Sequence, residues 1–276
     1  NSKNKSPEKI KRHIDQRNKA LASYDFENIF TLKDDFIVGV SGGPDSLALC
    51  FLTKIYSIKK SLNAYYFIVD HRLRKNSSTE AQSVKNLLKK YNIKSDILKW
   101  YGKKPNSNIQ SLARNKRFSL LATQAKKINI KTILTGHHVD DLYENFFIRI
   151  SRGSGLNGLV SFGKKTQRGE VNILRPLISF EKKNLNYVTT NVFKSYIEDP
   201  SNEDNKFKRV RIRKLINHLQ NDGLDKNKLL LTIKNLKDSN ETIKFYVAKN
   251  LTDNSYIYKD KSKIILNEEF FNQPHE

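Results

Sequence analysis

The stretch FIVGVSGGPDSLALCFL, Phe36 to Leu52, sets a turn of two glycines, a proline, an aspartate and two serines between two apolar runs. FIVGV is short, apolar and β-branched, the pattern of a strand buried on both faces. LALCFL continues into a segment long enough for a helix. The turn between them, SGGPDS at 41–46, is suited to an anion. Gly42 and Gly43 permit positive φ and a close approach of the backbone to a ligand. Successive amides then form a concavity, reinforced by the positive end of a helix that starts near Ser46. Ser41 and Ser46 add hydroxyls, and Asp45 can hold a Mg²⁺ that bridges phosphate oxygens. The string is not a Walker loop, because no Gly-Lys-Ser/Thr follows, and it is not GxGxxG. An isolated Ser-Gly-Gly reads as a capped turn; the full string between strand and helix favours phosphate.

Outward from this turn, strand-like and helix-like runs alternate. AYYFIVD (64–70), SDILKW (95–100) and KTILTG (131–136) read as strands, and Ser46–Lys59, Thr79–Tyr91 and Ile109–Ile128 as crossover helices. This alternation predicts an α/β fold, a doubly wound parallel sheet covered on both faces. A fifth strand is expected at SYIED (195–199), after a helix over Glu181–Phe193. From Lys206 the pattern becomes helices without strands. A boundary near 205–215, after the turn-rich DPSNEDN, gives a catalytic domain over 1–210 and a small, mainly helical C-terminal domain over 211–276.

Lys and Arg number 51 against 28 Asp and Glu, a net charge of +23 that favours a polyanionic partner. An AT-rich coding sequence also enriches Lys, so the charge alone does not decide. No apolar run reaches the length of a membrane span. The first twenty residues are basic but lack the apolar core of a secretory signal, and Glu8 and Asp15 argue against a transit peptide. One cysteine, Cys50, allows neither an internal disulfide nor a cysteine zinc cage, so a cytoplasmic location is expected. Methionine is absent even at position 1.

In a doubly wound sheet, ligands bind beyond the carboxyl ends of the strands. DHRLR (70–74) follows the second strand and GHHVDDLYEN (136–145) the fourth, so both join SGGPDS on one edge. Asp140 and Asp141 lie four and three residues before Glu144, which lets these acids share one helical face. The helix dipole explains acids in a first turn but not Glu144 or the double histidine; a metal or a cationic substrate explains more. His137 and His138 read equally as capping groups or as functional ones. Arg114 and Arg117, three apart in NIQSLARNKRF (108–118), are either a solvated face or neutralisers of phosphate charge.

Taken in order, SGGPDS, VDHRLR, NIQSLARNKRF, LTGHHVDDLYENFFIRISRGSGLNGL, RPL (175–177) and EDPSNEDNKFKRVRIR resemble the tRNA(Ile)-lysidine synthetases, a family of PP-loop ATP pyrophosphatases. The likeness covers roughly residues 30 to 215. It implies a two-step reaction. ATP adenylates the carbon-2 oxygen of the wobble cytidine in tRNA(Ile) with a CAU anticodon and releases pyrophosphate; free L-lysine then displaces AMP to give lysidine. Carried onto this chain, Ser41, Gly42, Gly43, Asp45, Ser46, Asp70, His71 and Gly136 contact ATP, and Asp45 and Asp141 hold Mg²⁺. Asp140, Asp141 and Glu144 receive lysine. Asp45, Asp141, Glu144, His138 and Arg114 are expected in catalysis. Arg117, Lys206, Lys208, Arg209, Arg211 and Arg213 are expected to contact tRNA. Asn145 departs from the threonine common after the helix glutamate, and the part after 215 is short against members with a second C-terminal subdomain. A homodimer is left open.

The alternatives are other PP-loop enzymes. A tRNA thiolase needs a persulfide or iron–sulfur chemistry that a single cysteine in LALCFL serves poorly. A small-molecule amidotransferase or synthetase leaves the positive charge unexplained.

Overall fold

The computed structural model describes residues 31–74, 76–102, 109–197, 204–258 and 262–273. The basic N-terminal twenty residues and Glu198 and Asp199 of the expected fifth strand lie outside them.

Strand β1 (Phe36–Val40) lies in the middle of the main sheet. Phe36, Val38 and Val40 point into one core with helix α1 (Pro44–Lys60), while Ile37 points to the opposite face, as the two-residue period of a strand requires. Phe36, Ile37 and Val38 are fully buried, and each contributes about 1.5–3 kcal/mol by leaving water. At Gly39 the missing side chain matters: a Cβ there would lie 3.0 Å from Leu121 Cδ1.

Around β1 run β2 (Ala64–Asp70), α2 (Ser77–Lys90), β3 (Ser95–Lys99), α3 (Ile109–Lys127) and β4 (Thr132–Thr135). The next elements are α4 (Val139–Ile150), α5 (Leu156–Leu159), β5 (Lys165–Arg168), β6 (Val171–Leu174) and α6 (Lys182–Phe193). The sheet order is β3-β2-β1-β4-β6-β5. The first five strands in that order are parallel, and β5 joins antiparallel through the tight turn to β6, with Gly169 at positive φ. The core with Leu185 and Val188 of α6 fills one face, and the core with Leu121 and Ala125 of α3 fills the other. The doubly wound architecture is therefore present, with strand order reversing between β1 and β4.

The fifth parallel strand is β6, not the expected SYIED. Residues 195–197 form no strand. Lys194 ends α6 in the left-handed region, and the Ile197 amide then donates to Gly42 O at 3.0 Å instead of joining a ladder.

The chain divides into two compact units: the described residues up to Leu142 with Phe162–Val210, and Tyr143–Ser161 with Arg211 onward. The second unit holds the later turns of α4, α5, most of α7 (Lys208–Asn221) and the long α8 (Lys226–Asn254). Asp225 caps α8 by accepting the amides of Asn227 and Lys228. Strands were not expected here, yet a short hairpin, β7 (Ser255–Ile257) with β8 (Ile264–Leu266), follows α8. Among the described residues, no helix is long and apolar enough to cross a membrane.

Candidate active site

The β1–α1 turn is gathered around one hydroxyl. Ser46 Oγ accepts the Ser41 amide at 3.2 Å, the Gly42 amide at 3.1 Å and the Ser41 hydroxyl at 3.1 Å, and donates to Gly43 O at 3.0 Å. Gly42 sits at φ 85, where a Cβ would meet Val84 Cγ2 at 2.5 Å. Helix α1 starts at Pro44, whose missing amide costs nothing in a first turn. No side chain caps this end, so the amides and the dipole that open α1 stay available to an anion. Thr189 Oγ1 donates to Pro44 O at 2.7 Å and ties the turn to α6. Gly136, just past β4, lets the neighbouring loop come close: a Cβ there would lie 2.9 Å from Asp45 O.

These pieces line one cavity at the reversal of strand order. Ser41, Gly43, Asp45, Ser46, Gly136 and His137 line it together with Arg114 and Arg117 of α3. Burial, and then the charges of Arg209 and Arg175, lower Arg114 to about 10, which leaves it cationic at neutral pH. Its guanidinium lies 5.5 Å from the Phe118 ring and 5.9 Å from the Phe162 ring.

His138 is buried among three carboxylates. Its Nε2 lies 3.6 Å from Asp45 Oδ2 and 3.7 Å from Asp141 Oδ2, and its Nδ1 lies 3.5 Å from Asp140 Oδ2. Burial alone would lower its pKa, but the hydrogen bond with Asp140 and the charges of Asp141 and Asp45 hold it above the usual histidine value. Burial raises Asp45 against the pull of His138, and Asp45 Oδ1 is buried with no hydrogen-bond partner among the described residues. Asp141 behaves oppositely. Burial would raise it, yet the charges of His138 and Arg209 hold it below the usual carboxylate range; Arg209 Nη1 lies 3.8 Å from its Oδ1. His137 hydrogen-bonds to Thr135 Oγ1 at 2.9 Å, and burial lowers it to about 3, so it is neutral.

Asp70 and His71, both expected at ATP, also make contacts within the fold. Asp70, 1% exposed, turns its carboxylate onto its own loop: Oδ1 accepts Ser77 Oγ at 2.7 Å and the Arg72 amide at 2.9 Å, and Oδ2 accepts Ser78 Oγ at 2.6 Å. His71 accepts from Arg117 Nε at 3.4 Å, and burial followed by the Arg117 charge lowers it to about 4. In the second unit, buried Glu144 accepts from Arg213 Nε at 2.8 Å. Lys206 and Arg211 are exposed.

Sequence reasoning left Arg175 and Phe162 without a role. Arg175 is 3% exposed, donates through Nη1 to Gly163 O and Thr166 Oγ1, and stacks 4.4 Å from the Phe162 ring, which in turn meets His137 edge-on. The RPL string marked Arg175, but no sequence signal marked Phe162.

The model of a PP-loop domain matches residues 9–219. The chain is 36% identical over 196 residues to a tRNA(Ile)-lysidine synthase of Rhodopseudomonas palustris, covering 70% of this chain and 57% of that protein. It is 38% identical over 179 residues to that of Orientia tsutsugamushi, covering 65% and 40%. The chain thus spans about half the length of the curated relatives it matches. A solved U34-tRNA thiolase from Methanococcus maripaludis shares the fold at a TM-score of 0.64 and 15% identity, over 83% of this chain and 78% of that one. The glycine turn at the strand reversal and the family match over most of the chain place it in the PP-loop domain family.

Proposed function

We propose that the chain is the catalytic part of a ligase that joins free L-lysine to carbon 2 of the wobble cytidine of tRNA(Ile) with a CAU anticodon. The observation that carries this reading is one cavity lined both by a glycine turn with an uncapped helix start and by Arg114 and Arg117. The chain's similarity to tRNA(Ile)-lysidine synthases supports the substrate class. In the first step the cytidine carbon-2 oxygen attacks the α-phosphorus of ATP and pyrophosphate leaves. In the second, the lysine side-chain amine attacks carbon 2, loses a proton, and AMP leaves with the oxygen.

Ser41, Gly42, Gly43 and Ser46 suit the phosphates through backbone amides and hydroxyls. The two arginines offset charge on the leaving pyrophosphate. Mg²⁺ is part of the proposal and would polarise phosphate oxygens. The residues fit such an ion: Asp45 keeps a buried oxygen without a partner among the described residues, and Asp45 and Asp141 approach the same His138 nitrogen. Asp140 and Asp141 are the proposed lysine contacts of the first unit, with Glu144 the further acid that the resemblance assigns. Lys206, Lys208, Arg209, Arg211 and Arg213 are proposed to meet the tRNA backbone, and residues 211–276 to be mainly a tRNA-binding region.

The test supplies the purified chain with ATP, labelled lysine and unmodified tRNA(Ile) transcript. Label in the tRNA, with AMP and pyrophosphate formed in equal amounts, is expected. Folded protein that forms neither, or that forms AMP at a rate indifferent to tRNA, overturns the reading.

A further inference from the structure

The carboxyl end of the outermost parallel strand carries an aromatic and cationic surface that the cavity does not include. Strand β3 is continued by Trp100, whose amide donates to Asp70 O at 3.0 Å. The Trp100 indole lies against the backbone of Gly102, where a Cβ would meet the ring at 2.4 Å. Between them Tyr101 is 76% exposed, and the Arg72 guanidinium lies 5.1 Å from its ring centroid. Arg72 is itself exposed, and its backbone is held in the left-handed region, φ 51, with its amide on Asp70 Oδ1. Lys99 adds an exposed cation beside them.

Among the described residues Tyr101 is largely exposed beside the Arg72 cation, and unpaired bases stack on such surfaces. We propose that Arg72 and Tyr101 form a stacking platform for an unpaired RNA base close to the one that enters the cavity. The placement supports this. β3 lies two strands from β1 on the same edge, about 10 Å at the usual strand spacing, which is within the span of neighbouring nucleotides. Asp70 shapes the platform as a positioning residue, because its carboxylate fixes the loop that sets Arg72. The partner class rests on the reading of the substrate as RNA; the surface itself is read from the geometry.

Trp100 is the only tryptophan in the chain, so its emission reports from this spot. The test titrates the full chain with an unmodified anticodon stem-loop carrying the CAU loop and, separately, with a fully paired RNA duplex. The stem-loop is expected to change Trp100 emission and the duplex is not. Tyr101→Ala should weaken stem-loop binding about tenfold, Tyr101→Phe should restore it, and ATP binding should be unchanged in both. Arg72→Ala should also weaken stem-loop binding while duplex binding is unchanged. Wild-type affinity in Tyr101→Ala, an equal loss for stem-loop and duplex, or failure of Tyr101→Phe to rescue would each overturn the platform. The two readings separate cleanly. Absence of lysidine with selective loss in Tyr101→Ala removes the ligase and keeps the platform. Lysidine formed by Tyr101→Ala with an unchanged KM for tRNA removes the platform alone.

Discussion

Two strand-to-helix turns lie side by side on the carboxyl edge of the sheet, and they are organised by opposite chemistry. At the β1–α1 turn the collecting atom is the neutral Ser46 hydroxyl, which accepts two amides and one hydroxyl. At the β2–α2 turn it is the Asp70 carboxylate, which accepts one amide and two serine hydroxyls. A neutral hydroxyl can turn aside and surrender its donors to a stronger acceptor. A buried carboxylate cannot, and its charge repels an anion. The first turn therefore suits the phosphate proposed for it, and the Asp70 contacts hold the shape of the second.

Exchanging the acids tests this division most severely. Asp45→Asn should cut turnover by at least about 100-fold, while stability stays equal or rises, because burial disfavours the Asp45 charge. Steady-state kinetics and urea unfolding on the same sample check both halves; a fall in stability without a fall in turnover would reverse the assignment. Asp70→Ala should do the reverse. It strands Ser77, Ser78 and the Arg72 amide and should cost about 3 kcal/mol of stability, with turnover per folded molecule reduced far less than in Asp45→Asn. Gly42→Ala forces a Cβ onto Val84 at positive φ, and a loss of about 2 kcal/mol in urea unfolding is expected. Ser46→Ala removes a replaceable collector, so ATP affinity should fall only roughly fivefold, near 1 kcal/mol.

The smallest effect is in acid. Burial would raise Asp70, but Ser78, Ser77 and the Arg72 amide hold it below the usual carboxylate range. A depressed carboxylate contributes stability above its unfolded pKa, about 3.9, and loses it as pH falls through the lower folded value. Asp70→Asn should therefore show a shallower fall in stability below pH ~4 than the wild type. Parallel curves would mean that the carboxylate charge is not what holds the second turn.

The sheet's first four strands and their helices were readable because their apolar residues keep strand or helix period through uninterrupted segments. β5, with the sequence KTQR, has no apolar face to betray it, being an exposed edge strand that Gly169 turns back onto β6. SYIED misled for the converse reason. Ile197 packs against the first core and against the Gly42 turn, so it is apolar without being a strand. The cavity residues were legible because glycine, serine and acid types recur at strand ends. What Asp70 touches was not legible: Ser77 and Ser78 are ordinary first-turn residues until the fold brings the carboxylate to them.

The way Ser46 fills its turn also bears on speed. Its amides are already convergent, so taking up a phosphate requires one hydroxyl to rotate, a motion of picoseconds to nanoseconds, and no loop to be ordered. Nucleotide capture by this turn should then be paced by encounter and by the shedding of water, with no slow folding phase before it.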